Sequence, residues 1–332
     1  MLTETQADTV VQLGELDAAT VLQLFEPYRR ELTGFCYRML GSSFEAEDAV
    51  QDTMVKAWKA SERFEGRSSV RSWLYRIATN VCLDMLRGPQ RRARPMDLGP
   101  ASHADITTLP TRPEHAWVTP VADDAVLPVD GDPAVIAAGR ESIRLAFVAA
   151  LQYLPPRQRV VLILREVLSW HATEVASLLD TTVASVNSAL QRARATLSEH
   201  ALDQPDDVDP EHAALLASYV DAFERYDIEK LVTLLHADAV MSMPPFDLWL
   251  SGPLDMGQWF LGQGAECRGS RLVATRANGC AAFGSYRIDP NGGYSPFALQ
   301  VIETAGGLIT GHHNFLDTNL FAVFGLPSHL DG

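Results

Sequence analysis

The chain has few cysteines and no long apolar run. Its 332 residues include four cysteines, Cys36, Cys82, Cys267 and Cys280, without the paired spacing of a disulfide framework or a zinc site. We expect buried free thiols in a reducing compartment, and no metal or other cofactor. No apolar stretch approaches the roughly 20 residues of a membrane span, and the polar, acidic start Met1–Thr5 does not resemble a signal peptide. These features predict a cytoplasmic globular protein without a membrane partner.

The chain also lacks the positive charge of a simple DNA-binding protein, since its formal net charge is −15. The acidic residues are unevenly distributed along the chain. Residues 1–94 carry 13 basic and 13 acidic side chains, and residues 140–200 carry seven basic and five acidic ones. Residues 95–139 hold one basic and seven acidic side chains. Residues 201–332 hold six basic and 17 acidic side chains. Two neutral-to-basic modules therefore alternate with acidic parts, and we expect weak binding to duplex DNA unless a partner presents the DNA.

A helix-turn-helix pattern lies between Leu151 and Leu197. Pro155-Pro156 suits the start of one helix, and the run Ala172 to Leu179 has the apolar spacing of a second. Asp180-Thr181-Thr182 breaks that pattern with capping residues. A third helix is predicted from Val183 to Arg194, with Val183, Val186 and Leu190 on its buried face.

The outer face of this third helix is polar and ends in arginines. Its members are Ser185, Asn187, Ser188, Gln191, Arg192 and Arg194. Such side chains can donate to phosphates and base edges in the major groove. The alternative is a three-helix bundle with a merely solvated polar face, and periodicity alone favours that alternative.

The rest of the chain divides by composition. We predict an N-terminal tail (1–17), an all-helical module (18–94), an acidic, Pro-rich linker (95–138), the helix-turn-helix module (139–201), a short acidic linker (202–210) and a final domain (211–332). The first linker lacks periodicity and is expected to be extended and mobile. In the final domain, a helical stretch from Ala213 to Leu235 precedes five strand-like segments separated by turn signals such as Asn278-Gly279. A helix followed by a curved antiparallel sheet is an α+β arrangement.

Two segments of the first module resemble a known family. Phe44–Trp58, FEAEDAVQDTMVKAW, looks like the core-binding segment of a bacterial sigma factor, and Ser72–Arg87, SWLYRIATNVCLDMLR, resembles its promoter-melting helix. The order of modules is similar to that of the extracytoplasmic-function (ECF) group of the sigma-70 family. Met241–Trp249, with Gly252 and Phe324–Pro327, resembles the C-terminal SnoaL-like extension of certain ECF sigma factors, which has the cone-shaped fold of the nuclear transport factor 2-like superfamily. The implied fold is multidomain: two all-α domains, sigma region 2 and the sigma region 4 helix-turn-helix, followed by an α+β cone-shaped SnoaL-like domain.

The resemblance implies roles for particular residues. Core RNA polymerase, through its beta and beta-prime subunits, would be bound by Asp48, Gln51, Asp52 and Lys56. The −10 promoter element would be bound by Phe64, Gly66, Arg67, Ser68, Arg71, Arg76, Asn80 and Arg87. The loop from Phe64 to Ser69 would hold a flipped base, which requires a shaped pocket because extruding a base costs a few kcal/mol. We expect Trp58 to be core packing, and we favour the core for Trp73 over a stacking role.

The −35 element would be read by the polar face of the third helix. The chain departs from the ECF pattern at four positions: the usual glycines are Asp180 and Ala184, and two commonly basic positions are Asn187 and Ala189. Fewer cations predict weaker phosphate anchoring and a shallower dependence of binding on salt.

The final domain admits two classes of role. It could be a regulatory module that contacts the sigma modules of the same chain, or a small-molecule site that senses or converts a ligand. Candidates for lining a pocket are Trp249, Trp259, Tyr286 and His312, with Phe246, Phe283, Phe297, His313 and Asp317 as further members. His312 and His313 are adjacent strand residues and must point to opposite faces of the sheet, so at most one enters a pocket. Aromatic residues in a small sheet are usually core, no acid–base pair is established by spacing, and regulation is favoured over enzymatic activity.

The sequence therefore predicts a non-enzymatic RNA polymerase sigma factor with a fused modulating domain. It would bind core RNA polymerase and promoter DNA, and its acidic linker would run through the polymerase interior. The alternative is a helix-turn-helix regulator with a ligand-sensing C-terminal domain. Residues 44–87 argue against that alternative, because such a regulator needs neither a core-binding nor a melting helix.

Overall fold

A computed structural model describes residues 18–64, 66, 68–87, 91–128, 132–198 and 210–332. The predicted tail 1–17, Arg67 and the short linker up to residue 209 lie outside the described residues. The described chain forms two compact units. One contains the described residues within 18–40, 44–87 and 154–195, and the other contains the described residues within 41–43, 91–153, 196–198 and 210–332.

The first unit is all-helical. Its helices are α1 (Ala18–Phe25), α2 (Arg29–Leu40), α3 (Ser43–Ala60) and α4 (Val70–Met85), followed after residues of the second unit by α8 (Pro156–Leu162), α9 (Ala172–Leu178) and α10 (Val183–Ser198). The last turn of α8 continues as a π-helical segment, Ile163–Val167. The Ser69 hydroxyl accepts a hydrogen bond from the Ser72 N–H and so caps the start of α4.

The core of this unit joins the two predicted sigma modules. The ring of Tyr75 packs 5.3 Å from Phe35 on α2 and 5.0 Å from Trp170, which precedes α9. Buried Arg159 on α8 donates to the carbonyl oxygens of Met39 and Leu154. Burial lowers the pKa of Arg159 to about 10, so the guanidinium stays charged at neutral pH.

The second unit is built on a six-stranded sheet. Its strands are β1 (Leu235–Ser242), β2 (Trp249–Ser251), β3 (Arg271–Ala277), β4 (Cys280–Ile288), β5 (Tyr294–Ala305) and β6 (Leu308–Phe315), in the order β2-β1-β6-β5-β4-β3. The pairing of β1 with β6 is parallel and the other pairings are antiparallel. The expectation of a purely antiparallel sheet was therefore wrong: β1 enters the sheet beside the last strand, so the chain must cross over rather than turn back.

Helices cover one face of this sheet. They are α11 (Pro210–Glu224), α12 (Ile228–Thr233) and α13 (Gly252–Leu261), and they enclose an apolar core with the sheet. The single predicted helix 213–235 is divided at Tyr226, whose φ of 57° ends α11. On the opposite face, the short α14 (Leu320–Val323) brings Phe321 to 5.1 Å from the ring of Tyr286.

The acidic linker is ordered over its described residues, which corrects the expectation of an extended, mobile segment. It forms α5 (Asp123–Val126) and α6 (Pro133–Glu141), and α7 (Leu145–Leu151) follows. Residues 99–112 of the linker, called the strap below, lie along the C-terminal domain. Three of them, Ala104, Ile106 and Leu109, pack against the core of that domain. Composition suggested disorder, but apolar contacts to a distant domain offset the entropy of ordering the chain.

Main-chain hydrogen bonds hold the strap in place. The Trp249 indole N–H donates to the Gly99 carbonyl at 3.0 Å, and the Ala104 N–H donates to the Asp255 carboxylate at 3.0 Å. At its end, the Arg112 guanidinium pairs with the Asp247 carboxylate at 2.6 Å.

Candidate nucleic-acid interface

The polar face of α10 is exposed to solvent. The six predicted −35 residues, Ser185, Asn187, Ser188, Gln191, Arg192 and Arg194, are all exposed. Val186, Leu190 and Ala193 are buried beneath them. Val183, predicted to be buried, is 38% exposed, because it stands in the first turn, before the helix reaches the core. The Thr182 hydroxyl accepts from the Ser185 N–H at 3.1 Å and caps this end.

The turn that precedes α10 explains one departure from the ECF pattern. Asp180 has a φ of 50°, in the left-handed region that favours glycine. Aspartate tolerates this conformation better than most side chains. The turn therefore keeps its geometry without the usual glycine.

One of the two arginines on α10 is already paired. The Arg194 guanidinium lies 2.6 Å from the Glu166 carboxylate. Arg192 carries no partner among the contacts resolved in the described residues. Pairing neutralises Arg194 locally, so Arg192 is the stronger candidate for a phosphate contact.

The predicted melting helix α4 presents part of its −10 set. Arg76, Asn80 and Arg87 are exposed, and Arg87 pairs with Asp84 one turn earlier at 2.9 Å. Arg76 donates to the Ser177 carbonyl on α9 at 3.1 Å. Together with Asn80, Arg157 and the turn at Asp180, Arg76 lines a cleft of about 470 Å³.

Arg71 is held inside the first unit. Its guanidinium donates to both carboxylate oxygens of Glu31, with a shortest distance of 2.9 Å. It also lies 5.3 Å from the ring centroids of Tyr75 and Trp170. In this arrangement the Arg71 side chain, although 40% exposed, is paired with Glu31 and supports the packing of the two modules.

The predicted base-holding loop begins against an aromatic side chain. The ring of Phe64 lies 4.9 Å from Trp73, which also packs 6.0 Å from Phe25. The expected packing role of Trp73 agrees with these contacts. Gly66 has a φ of 66°, Ser68 is exposed, and Arg67 lies outside the described residues.

The predicted polymerase-binding residues share one face of α3. Asp48, Gln51, Asp52 and Lys56 are all exposed and recur at helical spacing. Val55 and Trp58 are also exposed, at 40% and 43%. The expectation that Trp58 is core packing was therefore wrong. Exposed apolar residues beside charged ones are typical of a protein contact surface, and helical periodicity alone missed this one.

The interior of the C-terminal domain contains a buried polar network. The Tyr219 hydroxyl donates to Gln300 Oε1 at 2.7 Å and lies 3.0 Å from His312 Nε2. The imidazole is surrounded by the rings of Tyr219, Phe223 and Phe260 at 5.8 to 6.4 Å. Burial, with a further contribution from His313, lowers the pKa of His312 to about 3, so this imidazole is neutral at pH 7.

The four residues predicted to line a ligand pocket do not share one site. Trp259 belongs to the interior core, as His312 does. Tyr286 packs on the other face of the sheet and donates to the Pro327 carbonyl at 2.8 Å. Trp249 bonds to the strap. The grouping of Tyr286 with His312 was wrong because side chains alternate along β4, which places Tyr286 on the face opposite to Phe283 and the core around His312.

His313 points away from His312, as the strand geometry requires. Its Nδ1 lies 2.8 Å from Ser242 Oγ, and its Nε2 lies 3.3 Å from the Glu303 carboxylate. Burial alone would raise the pKa of Glu303, but His313, Arg94 and Arg144 outweigh it and lower the pKa to about 2. Ser242 and His313 are buried and the Glu303 side chain is only 20% exposed, so the three form a structural network rather than an open reactive site.

A junction that sequence reasoning missed lies at the tip of the β3–β4 hairpin. Asn278 is completely buried and contacts the linker and the residues before α7. Asp123 on α5 accepts from the Gly279 N–H at 2.7 Å and from Arg276 at 3.1 Å. An Asn-Gly pair signals a turn, but nothing in the pattern signals that the turn is buried.

The first unit therefore combines a helix-turn-helix with a second helical module whose polar face adjoins it, which defines a DNA-binding initiation factor of sigma type. The Sigma-70 region 2 model matches residues 24–92, and the model for Sigma-70, region 4, matches residues 144–197. The ECF RNA polymerase sigma factor SigG of Mycobacterium tuberculosis is 46% identical over 92% of this chain and 83% of its own length. The chain belongs to the ECF sigma factor family.

Other relatives agree on family and fold. The ECF RNA polymerase sigma factor SigW of Bacillus subtilis is 28% identical over 58% of this chain and 94% of its own. The crystal structure of the M. tuberculosis extracytoplasmic function sigma factor SigJ aligns with a TM-score of 0.58 at 22% identity, covering 92% of this chain and all of that one. This likeness supports the shared fold, including the C-terminal sheet domain. Among the described residues, no helix is both long and apolar enough to cross a membrane.

Proposed function

We propose that this chain directs core RNA polymerase to promoters. The observation that best supports this proposal is that residues matched to sigma regions 2 and 4 expose two separate polar surfaces, one on α3 and one on α10. The surface on α3 binds the beta and beta-prime subunits, and α10 enters the major groove of the −35 element. The family consists of initiation factors, which agrees with the expectation that the chain is not an enzyme. It acts in the cytoplasm, where the polymerase works.

The −10 element is recognised by α4 and the loop before it. Arg76, Asn80 and Arg87 supply donors to phosphates and base edges, and Phe64, Gly66, Arg67 and Ser68 form the pocket for a flipped base. Arg71 joins this surface when it leaves Glu31. Because Arg71 and Arg76 now bond within the first unit, engagement of the −10 element requires those contacts to open.

The C-terminal domain modulates this activity through contacts within the chain. Aromatic rings surround His312 in its interior and strap residues pack against its core, which supports regulation over ligand sensing. When the linker runs through the polymerase, the strap must leave the C-terminal domain. Its bonds to Trp249 and Asp255 would then be lost.

Run-off transcription with core polymerase tests the proposal. The full chain should support initiation from a promoter selected by its own binding. Lys56→Glu should reduce binding to core polymerase, and Gln191→Ala should leave that binding intact while weakening promoter recognition. If the full chain binds core polymerase but supports no initiation from any selected template, the proposal fails.

A further inference from the structure

The tip of the β3–β4 hairpin binds main chain from two other segments through one side chain. Asn278 Oδ1 accepts from the Val121 N–H at 3.0 Å, and Asn278 Nδ2 donates to the Ile143 carbonyl at 2.6 Å. The Asn278 main-chain N–H also donates to the Val121 carbonyl at 3.1 Å. The amide orientation is fixed, because an N–H needs an oxygen opposite it and a carbonyl needs an N–H.

The two bound segments have distinct positions in the chain. Val121 lies in the linker between the sigma modules, and Ile143 lies two residues before α7, which leads through residues 152–155 into α8 of the helix-turn-helix module. Both amide atoms of Asn278 are used, and its side chain has no exposed surface. Loss of either segment would leave a buried polar group unpaired, which is costly.

Residues next to Asn278 in the chain also pack closely against the segment before α7. A Cβ at Gly279 would lie 2.9 Å from Arg140 Cβ and 3.0 Å from the Arg140 carbonyl oxygen. Arg144 Nη1 lies 3.2 Å from Cys280 Sγ, the thiol that begins β4. Cys280 is thus covered by the segment that Asn278 binds, and its accessibility reports whether that segment is docked.

The β4–β5 turn of the same sheet also meets distant chain, since a Cβ on Gly293 would clash with the Leu330 carbonyl, but its asparagine is not buried. In the β4–β5 turn, Asn291 is exposed and bonds to Asp289 two residues away. A Cβ added to Gly306 or Gly307 in the β5–β6 turn meets nothing within 4 Å. Tight hairpins do not by themselves require burial, so the contacts of Asn278 need another explanation.

The first unit shows why docking at this place bears on initiation. Arg76 on the melting helix bonds to Ser177 on α9, so the −10 and −35 surfaces lie side by side. On a promoter the two elements are about 25 base pairs apart, or roughly 85 Å at 3.4 Å per base pair. The helix-turn-helix module must therefore move away from α4, and the segment that leads into it must be free to follow.

We propose that the β3–β4 hairpin tip is a docking site for the linker at Val121–Asp123 and for the segment at Ile143, and that docking restrains the helix-turn-helix module and lowers initiation. The occupant is this chain's own main chain. The proposal rests on the function proposed above, since it concerns regulation of the same promoter surfaces.

Full-length variants test the site from both sides. Asn278→Ala removes the side-chain contacts of Asn278, and Asp123→Ala removes the linker's carboxylate contacts to Gly279 and Arg276 without altering the C-terminal domain. Asn291→Ala is the matched control in an exposed turn. Circular dichroism and thermal melting establish that each variant is folded.

The first readout is labelling of Cys280 by a maleimide, located by peptide mass spectrometry, and it needs no polymerase. We expect the labelling rate to rise about tenfold in both variants, as loss of one or two buried hydrogen bonds would allow, and to stay unchanged in Asn291→Ala. Unchanged labelling in folded Asp123→Ala and Asn278→Ala would overturn the docking site.

The second readout is run-off transcription with core polymerase. Both variants should initiate several-fold more than the wild-type chain, with Asn291→Ala at the wild-type level. Faster labelling without higher transcription would overturn the restraint. If the wild-type chain and every variant bind core polymerase but initiate nowhere, the proposed function fails, and the labelling result still decides whether the hairpin docks the segment.

Discussion

The two units of this chain use polar side chains in opposite ways. In the helical unit, the residues predicted to meet polymerase and −35 DNA are exposed on α3 and α10. In the sheet unit, polar side chains such as His312, His313 and Asn278 are buried and bonded to other buried side chains or to main chain. Exposed polar groups are available to another molecule, whereas buried ones fix the chain's own arrangement. The contrast teaches that the same residue types mark a binding surface in one unit and an internal connection in the other.

Arg159 tests this contrast most severely, because it is a buried charge in the helical unit. Arg159→Ala would leave the carbonyls of Met39 and Leu154 without their donor, and we expect a loss of about 3 kcal/mol in the free energy of unfolding. Urea denaturation of the full chain measures this. Arg157→Ala, exposed on the same helix, should change stability by less than about 0.5 kcal/mol. Equal changes in the free energy of unfolding for Arg159→Ala and Arg157→Ala would show that Arg159 does not stabilise the contact between α2 and α8.

Tyr219 probes the buried network of the sheet unit. Tyr219→Phe should cost about 2 kcal/mol, because Gln300 Oε1 loses its donor and His312 loses a partner in a site closed to water. Thermal denaturation followed by far-ultraviolet circular dichroism at several pH values measures the change. A variant as stable as the wild-type chain would mean that the network contributes nothing to folding.

The dependence of stability on pH should distinguish the sheet unit, which contains His312 and Glu303, from the helical unit. His312 has a pKa of about 3 when folded and 6.5 as a free side chain, so the unfolded chain binds a proton that the folded chain does not over that window. Stability should therefore fall as pH drops below 6.5, by at most about 1.4 kcal/mol per pH unit. Glu303, with a folded pKa of about 2 against 4.5, adds to the loss below pH 4.5.

His312→Gln should flatten the dependence of stability on pH between 6.5 and 4.5, because it removes the buried imidazole. Denaturation midpoints collected across this range provide the test. A curve of unchanged slope in His312→Gln would show that another group carries the titration.

The smallest expected effect concerns the exposed face of α10. Gln191→Ala should reduce promoter affinity of the holoenzyme about fivefold, by loss of a base-edge contact. Arg192→Ala should reduce it similarly and also lower the slope of log affinity against log salt concentration by about 1, since it removes one phosphate contact. Equal salt slopes for Arg192→Ala and the wild-type chain would exclude Arg192 as a phosphate ligand. Fluorescence anisotropy over a salt series measures both.

Most helices of the first unit and most strands could be predicted from local patterns, whereas the helices α5, α6, α13 and α14 were not. Val186 and Leu190 recur at helical spacing and are buried, and the turn at Asn278-Gly279 separates two observed strands. Prediction failed where contacts between distant segments decide. Periodicity could not show that Trp58 is exposed, and composition could not show that residues 99–112 pack on the C-terminal domain.

Sequence alone determined the polar face of α10, because helical periodicity and turn chemistry are local properties of the chain. The family and the order of modules came from the resemblance of residues 44–58 and 72–87 to sigma factor segments. Asn278-Gly279 and Asn291-Gly292 are both Asn-Gly pairs, which signal a turn whether or not that turn is buried. Only the tertiary structure distinguished them: one Asn is exposed, and the other is buried with both amide atoms bonded to remote main chain. Conformational preference selects a turn residue, but burial depends on which distant segments pack against it, and no local pattern contains that information.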